Sequence, residues 1–184
     1  MRKLKLQVQM TVDGFIAGPN GEMDWTSAEW DNELKKYVGG LTESVDCIIL
    51  GRKLAQGFIP YWALHPEQEG ADIFNGTKKV VFTKTLEKSE WTDTVLAKGD
   101  LVEEITQLKK QAGQDMIAYG GAAFVSALIK HRLIDELHLF INPTAIGSGM
   151  TIFKELDGRQ NLKLVKSTSF DCGIVVLKYE PKRD

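Results

Sequence analysis

Met116-Ile117-Ala118-Tyr119-Gly120-Gly121-Ala122-Ala123-Phe124-Val125 is the stretch on which the fold turns. A short apolar run meets two glycines, and Phe124, Val125, Leu128 and Ile129 then recur at helical spacing. The pattern predicts a buried strand, a tight bend and a helix entered at once. Glycine lets a ligand approach the backbone closely, and a helix start offers unpaired N–H groups at the positive end of its dipole. A phosphate-binding turn and a plain strand-to-helix turn both fit these residues.

Outward from the bend, strands and helices keep alternating. Leu4, Leu6, Val8 and Met10 alternate with Lys3, Lys5, Gln7 and Gln9, which predicts a strand with one polar face. Gly18-Pro19-Asn20-Gly21 is a loop. Thr26 and Glu29 have capping-box spacing and predict a helix that buries Trp30, Leu34, Val38 and Leu41. Cys47-Ile48-Ile49-Leu50 is apolar on both faces, as a central strand is, and runs into Gly51-Arg52-Lys53. Residues 55–77 read as irregular apart from a short helix ending near Asn75-Gly76. Val80-Val81-Phe82 and Thr94-Val95-Leu96 follow as strands. Asp100 to Glu103 opens a helix burying Leu101, Ile105 and Leu108. Leu137 to Ile141 is a strand, and Leu162–Val165 and Ile174–Tyr179 flank Asp171-Cys172-Gly173 as an antiparallel hairpin. The order implies one α/β domain over residues 1–184, with a mostly parallel sheet covered on both faces and an antiparallel edge.

Composition narrows the function. Hydrophobic residues at 43% and charged residues at 26% are ordinary for a globular chain and argue against disorder. Lys and Arg total 23 against 25 Asp and Glu, so neither a broad nucleic-acid surface nor an anionic-membrane surface is expected. The alternating N-terminus does not read as a signal peptide, and no window approaches the ~20 apolar residues of a membrane span. Cys47 and Cys172 suggest no disulfide framework, which points to a cytoplasmic setting. His65, His131 and His138 are scattered without ligand spacing, so no metal site is expected.

Three predicted strand ends carry chemistry at the sheet edge where open α/β folds bind ligands. The first is the Gly120-Gly121 bend. The second is Gly51-Arg52-Lys53, where Arg can grip a phosphate bidentately and Lys adds a point charge. The third is Thr83-Lys84, a hydroxyl and an ammonium after a strand. Together they suit a molecule with several phosphates, and a dinucleotide with a 2′-phosphate, NADPH, fits.

The order of these motifs resembles the dihydrofolate reductase superfamily. It is closest to the reductase domain at the C-terminus of the bifunctional riboflavin-biosynthesis deaminase/reductase. The likeness rests on Thr11-Val12-Asp13-Gly14-Phe15-Ile16-Ala17, Ile49-Leu50-Gly51-Arg52, and the block from Tyr119-Gly120-Gly121 to Leu137. Asn142-Pro143, Gly147-Ser148-Gly149 and Ile152-Phe153 follow the riboflavin-type domain too. With no deaminase-like His/Cys set, the chain looks like a stand-alone reductase domain. The resemblance implies a dihydrofolate reductase-like three-layer α/β/α fold, an eight-stranded mixed sheet, bound NADPH and a homodimer. It implies that Gly120, Gly121, Ala122 and Ala123 meet the pyrophosphate and that Gly51, Arg52 and Lys53 lie near the phosphates. Thr83 and Lys84 would meet the 2′-phosphate, and the backbone of Ile16 the nicotinamide amide. The hydroxyl residue that often stands two places after the family's Gly-Arg is replaced here by Leu54.

The implied reaction is hydride transfer from NADPH to a small heterocycle. The substrate would be a riboflavin precursor of the 5-amino-6-(5-phosphoribosylamino)uracil type, or pterin-like. The same fold could instead bind NADPH without catalysis. Trp25 matches the family's Trp ahead of the helix that carries the folate reductases' acid, and the acid's own place falls on Trp30. Glu29 and Asp31 are the nearest candidate proton donors, and burial of Asp31 would raise its pKa. Asp13 reads as a loop brace. Phe58, with Tyr61 and Trp62, and the pair Trp25 and Trp30 form either substrate-pocket walls or a satellite core.

Overall fold

Leu4 to Thr11 form a strand at the centre of one eight-stranded sheet. The computed structural model describes residues 1–26 and 29–182. The strands are β1 (Leu4–Thr11), β2 (Val45–Gly51), β3 (Lys78–Phe82), β4 (Thr94–Ala97), β5 (Asp115–Ala118), β6 (Glu136–Asn142), β7 (Leu162–Ser169) and β8 (Val175–Pro181). The helices are α1 (Asn32–Thr42), α2 (Arg52–Leu64), α3 (Ala71–Gly76), α4 (Leu101–Lys110) and α5 (Ala122–Lys130).

The strand order is β4-β3-β2-β5-β1-β6-β8-β7. The pairs from β4 to β6 are parallel; β8 runs antiparallel to both β6 and β7. This is the expected mixed sheet with its antiparallel C-terminal hairpin. Period-two side-chain alternation divides the apolar residues between two cores. Leu4, Leu6, Val8, Ile49 and Ala118 face Ile105 and Leu108 of α4 and Val125 and Leu128 of α5. Ile48, Leu50, Ile117 and Phe140 face Leu34 of α1, Ala55 and Ile59 of α2, and Phe74 of α3. The result is three layers, α/β/α. Among the described residues no helix is long and apolar enough to cross a membrane.

Three local expectations need correction. The polar face of β1 is buried, because β1 is flanked by β5 and β6 and covered on both sides: Lys5 and Gln7 are 7% and 8% exposed. Lys5 Nζ is satisfied by Ser44 Oγ at 2.8 Å and Asp115 Oδ2 at 3.2 Å. The helix expected from Thr26 begins only at Asn32. The Thr26 hydroxyl donates back to the Met23 carbonyl at 2.9 Å, closing a turn, and the N-cap is Asp31. Residues 55–64, part of the stretch read as irregular, belong to α2 despite Gly57 and Pro60. A proline removes one helix hydrogen bond, but burial of Ala55 and Ile59 against the sheet offsets that loss.

Candidate active site at the carboxyl edge

Strands β1 to β6 all end on one edge, and they end at different heights. The pairing Leu6↔Ala118 places Val8 level with Gly120, yet β1 continues to Thr11 and, beside it, β6 to Asn142. The pairing Ile49↔Ala118 places Gly51, the last residue of β2, level with Gly120 on the other side. A notch therefore opens above β5, walled by β1 and β6, where the chain crosses from one layer to the other.

Two helices start at the base of this notch. α5 follows β5 through Gly120 and its N-cap Gly121; α2 follows β2 directly from its N-cap Gly51. Neither N-cap supplies a side-chain hydrogen bond, so the first-turn amides keep their donors. Gly120 and Gly121 have φ of +153° and +83°, which side-chain-bearing residues rarely adopt. A Cβ on Gly120 or Gly121 would have Leu54 atoms as its nearest neighbours, at 3.9 and 3.7 Å, ordinary contact distances, so the bend is not plugged. Leu54 nonetheless lines it with an apolar surface. A Cβ on Gly51 would lie 2.8 Å from Cβ of Phe124, so β2 and the first turn of α5 touch backbone to side chain.

The cationic candidates sit around this base. Arg52 is half-buried, and its Nη1 donates to Gln56 Oε1 at 3.0 Å, one turn along its own helix. Lys53 is exposed. Thr83 is buried, and its hydroxyl oxygen accepts the amides of Thr85 and Leu86 at 3.1 and 3.0 Å. The Lys84 ammonium donates to the carbonyls of Lys98 and Gly99, both at 2.6 Å. Thr83 and Lys84 thus hold the β3 exit in shape, which the sequence did not suggest.

The loops after β1 and β6 are knitted together over the other side of the notch. Val12 N donates to Thr144 O, Ile16 N to Met150 O, and Met150 N to Ala17 O, each at 2.8 Å. Asp13 accepts the amides of Ile146 and Gly147 at 3.1 and 2.7 Å, the bracing role its Asp-Gly context suggests. Gly149 is required there, since a Cβ would collide with the Ala17 carbonyl. Ile16 is buried and its amide is already engaged, which leaves its carbonyl as the group open to a ligand.

The proton-donor candidates do not behave as expected. Asp31 Oδ1 accepts Leu34 N at 2.8 Å, and Oδ2 accepts Cys172 N at 2.9 Å. The amides of Leu34 and Cys172 hold its carboxyl below the usual range, opposite to the upward shift expected from burial. Asp31 is therefore a carboxylate that caps α1 and anchors the β7–β8 turn. Glu29 is exposed and lies outside any helix. The aromatic residues serve largely as core: Trp30 stacks on Phe140 at 6.3 Å, and Phe58 meets Trp62, Phe74 and Tyr119 edge-on at 5.1–5.9 Å. Trp25, half-buried, donates its indole N–H to the Glu22 carbonyl at 3.2 Å. Tyr119 stands directly before the glycine bend and packs edge-on against Phe58. Burial pushes its hydroxyl up to about 12.

A parallel sheet edge with a glycine bend between two helix starts defines this as a dihydrofolate reductase-like fold. The profile of the RibD C-terminal domain matches residues 2–176, and the chain belongs to that family. It is similar to the uncharacterized protein YyaP of Bacillus subtilis (strain 168), at 31% identity over 97% of this chain and 94% of that protein. A solved putative riboflavin biosynthesis protein from Shewanella sp. PV-4 superposes with a TM-score of 0.80 at 22% identity, covering all of both chains. Dihydrofolate reductase from Enterococcus faecalis, complexed with NADP(H), superposes with a TM-score of 0.59 at 17% identity, over 98% of this chain and 97% of that one.

Proposed function

We propose that this chain is an NADPH-dependent reductase that transfers a hydride to a small planar heterocycle of the riboflavin-precursor or pterin-like kind. One observation carries the reading: the uncapped starts of α2 and α5 meet beside a glycine bend that no side chain fills. Two helix N-termini and their free amides favour a diphosphate there. In this reading the amides of Gly121, Ala122 and Ala123 hold the pyrophosphate, and Arg52 and Lys53 add charge. Thr83 and Lys84 lie at the outer end, for the 2′-phosphate. When bound, the dinucleotide supplies the hydride.

The protein's own part is to position, to exclude water and to manage a proton. The knitted loops over the notch shield the reacting face, with the Ile16 carbonyl directed to an amide donor. Asp31, held as a carboxylate by two amides, is ill-suited to give up a proton, so the proton comes from another group or from water. Family membership also supports a homodimer working in the cytoplasm.

The test is thermal stabilisation titrated with NADPH and NADH. NADPH should raise the Tm in proportion to the logarithm of its concentration, and NADH should do so less. Lys84→Ala should lower the NADPH affinity roughly tenfold with little change for NADH. Equal shifts from both cofactors, or none, would overturn the reading. NADPH binding without turnover across heterocyclic substrates would leave a nucleotide-binding module.

A further inference from the structure

Beneath α1 and α2 the sheet carries a row of polar side chains. Register pairs Gln7 with His138 on β6 and sets it level with Tyr119, one residue beyond Leu6↔Ala118. Leu6 and Ala118 point into the opposite core, so Gln7 and Tyr119 share the α1/α2 face with Ile117. His138 is fully engaged: the Tyr37 hydroxyl lies 2.8 Å from Nδ1 and Glu136 Oε2 lies 3.3 Å from Nε2. Gln7 is different. It is 8% exposed, and its Oε1 is fully shielded without a hydrogen-bond partner. Its Nε2 makes no hydrogen bond among the described residues either. Turning the amide over exchanges the two atoms but leaves the same position unmatched. Such a group carries a desolvation penalty with nothing to offset it, and native folds keep few of them without a use.

Its place says what that use is. α1 lies over β6 through Tyr37 on Phe140, and Trp30, just ahead of the helix, stacks on the same ring. α2 lies over β2 and β3, and its Phe58 reaches Tyr119. Gln7, on β1, stands on the floor between the two helices, below the notch where β1 outruns β5. We propose that Gln7 is the specificity-determining residue of the site, and that its carboxamide reads the edge of the ring that is reduced. This rests on the reductase reading above. A carboxamide accepts at one atom and donates at the next, so its complement is a ring N–H beside a carbonyl, a lactam edge. A carboxylate here would instead select two adjacent N–H groups. The Tyr119 hydroxyl, on the neighbouring strand and without a hydrogen-bond partner among the described residues, flanks the same edge.

The experiment compares two probes by calorimetric titration of the NADP⁺-saturated protein: pteridine-2,4-dione and its 1,3-dimethyl derivative, which has no ring N–H. Wild type should bind the first at least about tenfold more tightly. Gln7→Leu should bind the two within about twofold of each other, with the NADPH-induced Tm shift unchanged. The side-chain amide resonances of Gln7 should move on titration with the first probe and not with the second. Wild-type binding of neither probe, equal binding of both, or discrimination that survives Gln7→Leu would overturn the assignment. Should Gln7→Leu not fold, Gln7→Met and the wild-type amide resonances decide the matter in the same way. Loss of the NADPH shift in wild type would sink the reductase reading alone, because the two-probe comparison can be repeated without cofactor.

Discussion

Asp31 Oδ2 accepts the backbone amide of Cys172 at 2.9 Å, joining positions 141 residues apart. The same carboxylate caps α1 through Leu34 N, so one side chain fixes the start of a helix and the last hairpin together. Asp31→Ala should lower the Tm, as loss of an N-cap does. The carboxyl is depressed in the folded state, so its stabilisation is present above the unfolded value near 4 and lost as pH falls through the folded one. The Tm gap between wild type and Asp31→Ala should therefore be full at pH 7 and close below about pH 4. The alkaline limb of any pH–rate profile, along which a proton donor is lost, should survive the substitution; its disappearance would make Asp31 the proton donor after all.

Glu136 offers a second stability test. It is 5% exposed, with Lys3 Nζ at 2.7 Å, Lys178 Nζ at 2.9 Å and His138 Nε2 at 3.3 Å. The His138 hydrogen bond first, then those of Lys3 and Lys178, hold its carboxyl far below the ordinary range. Glu136→Gln should cost about 2–3 kcal/mol in urea unfolding at pH 7; the usual penalty for breaking a buried pair is discounted because both lysines reach solvent. A change under 0.5 kcal/mol would show that solvent already screens the cluster.

Two glycines of the site should fail for different reasons. Gly121→Ala forces a side chain to φ +83° and should cost about 1–2 kcal/mol through backbone strain, since Leu54 leaves room for the methyl. Gly51 has an ordinary φ of −78°, but its added Cβ meets Phe124 at 2.8 Å, and overpacking should cost about 1–3 kcal/mol. The double variant Gly51→Ala with Phe124→Gly, which removes the Cβ that is struck, should be less destabilised than the two single changes added together, whereas the same partner change should not relieve Gly121→Ala.

Tyr119 should show itself in alkali. Its pKa is pushed up to about 12 by burial, so the folded state holds the phenol proton more tightly than the unfolded chain, whose value is near 10. Its contribution is complete below pH 10 and lost as pH rises through 12. Wild type should lose about 2 kcal/mol more than Tyr119→Phe over that interval, measured by unfolding at fixed urea. Parallel curves would place the ring in solvent.

The glycine bend and its flanking elements were readable because strand, turn and helix signals coincide within a few residues; β5 and α5 lie where Met116 to Ile129 put them. α2 was not readable. Gly57 and Pro60 look like breakers, and only contact with the sheet through Ala55 and Ile59 outweighs them. The start of α1 was displaced because Thr26 and Glu29 satisfy a capping pattern that the Thr26 hydroxyl spends on Met23 instead. Asp31 was visible as a carboxylate near the right place, but its two amide partners include Cys172, which no local pattern could supply. Gln7 looked like one member of a polar strand face, and only the neighbours of β1 in the sheet reveal that the face is interior.

The contact between the Gly51 backbone and the first carbons of the Phe124 side chain sets the spacing of the two helix starts. A molecule that bridges both ends meets a gauge already cut to length. The loss of freedom on binding then falls on the guest rather than the host, and a longer or shorter bridge between its charged ends should be rejected by misfit rather than accommodated.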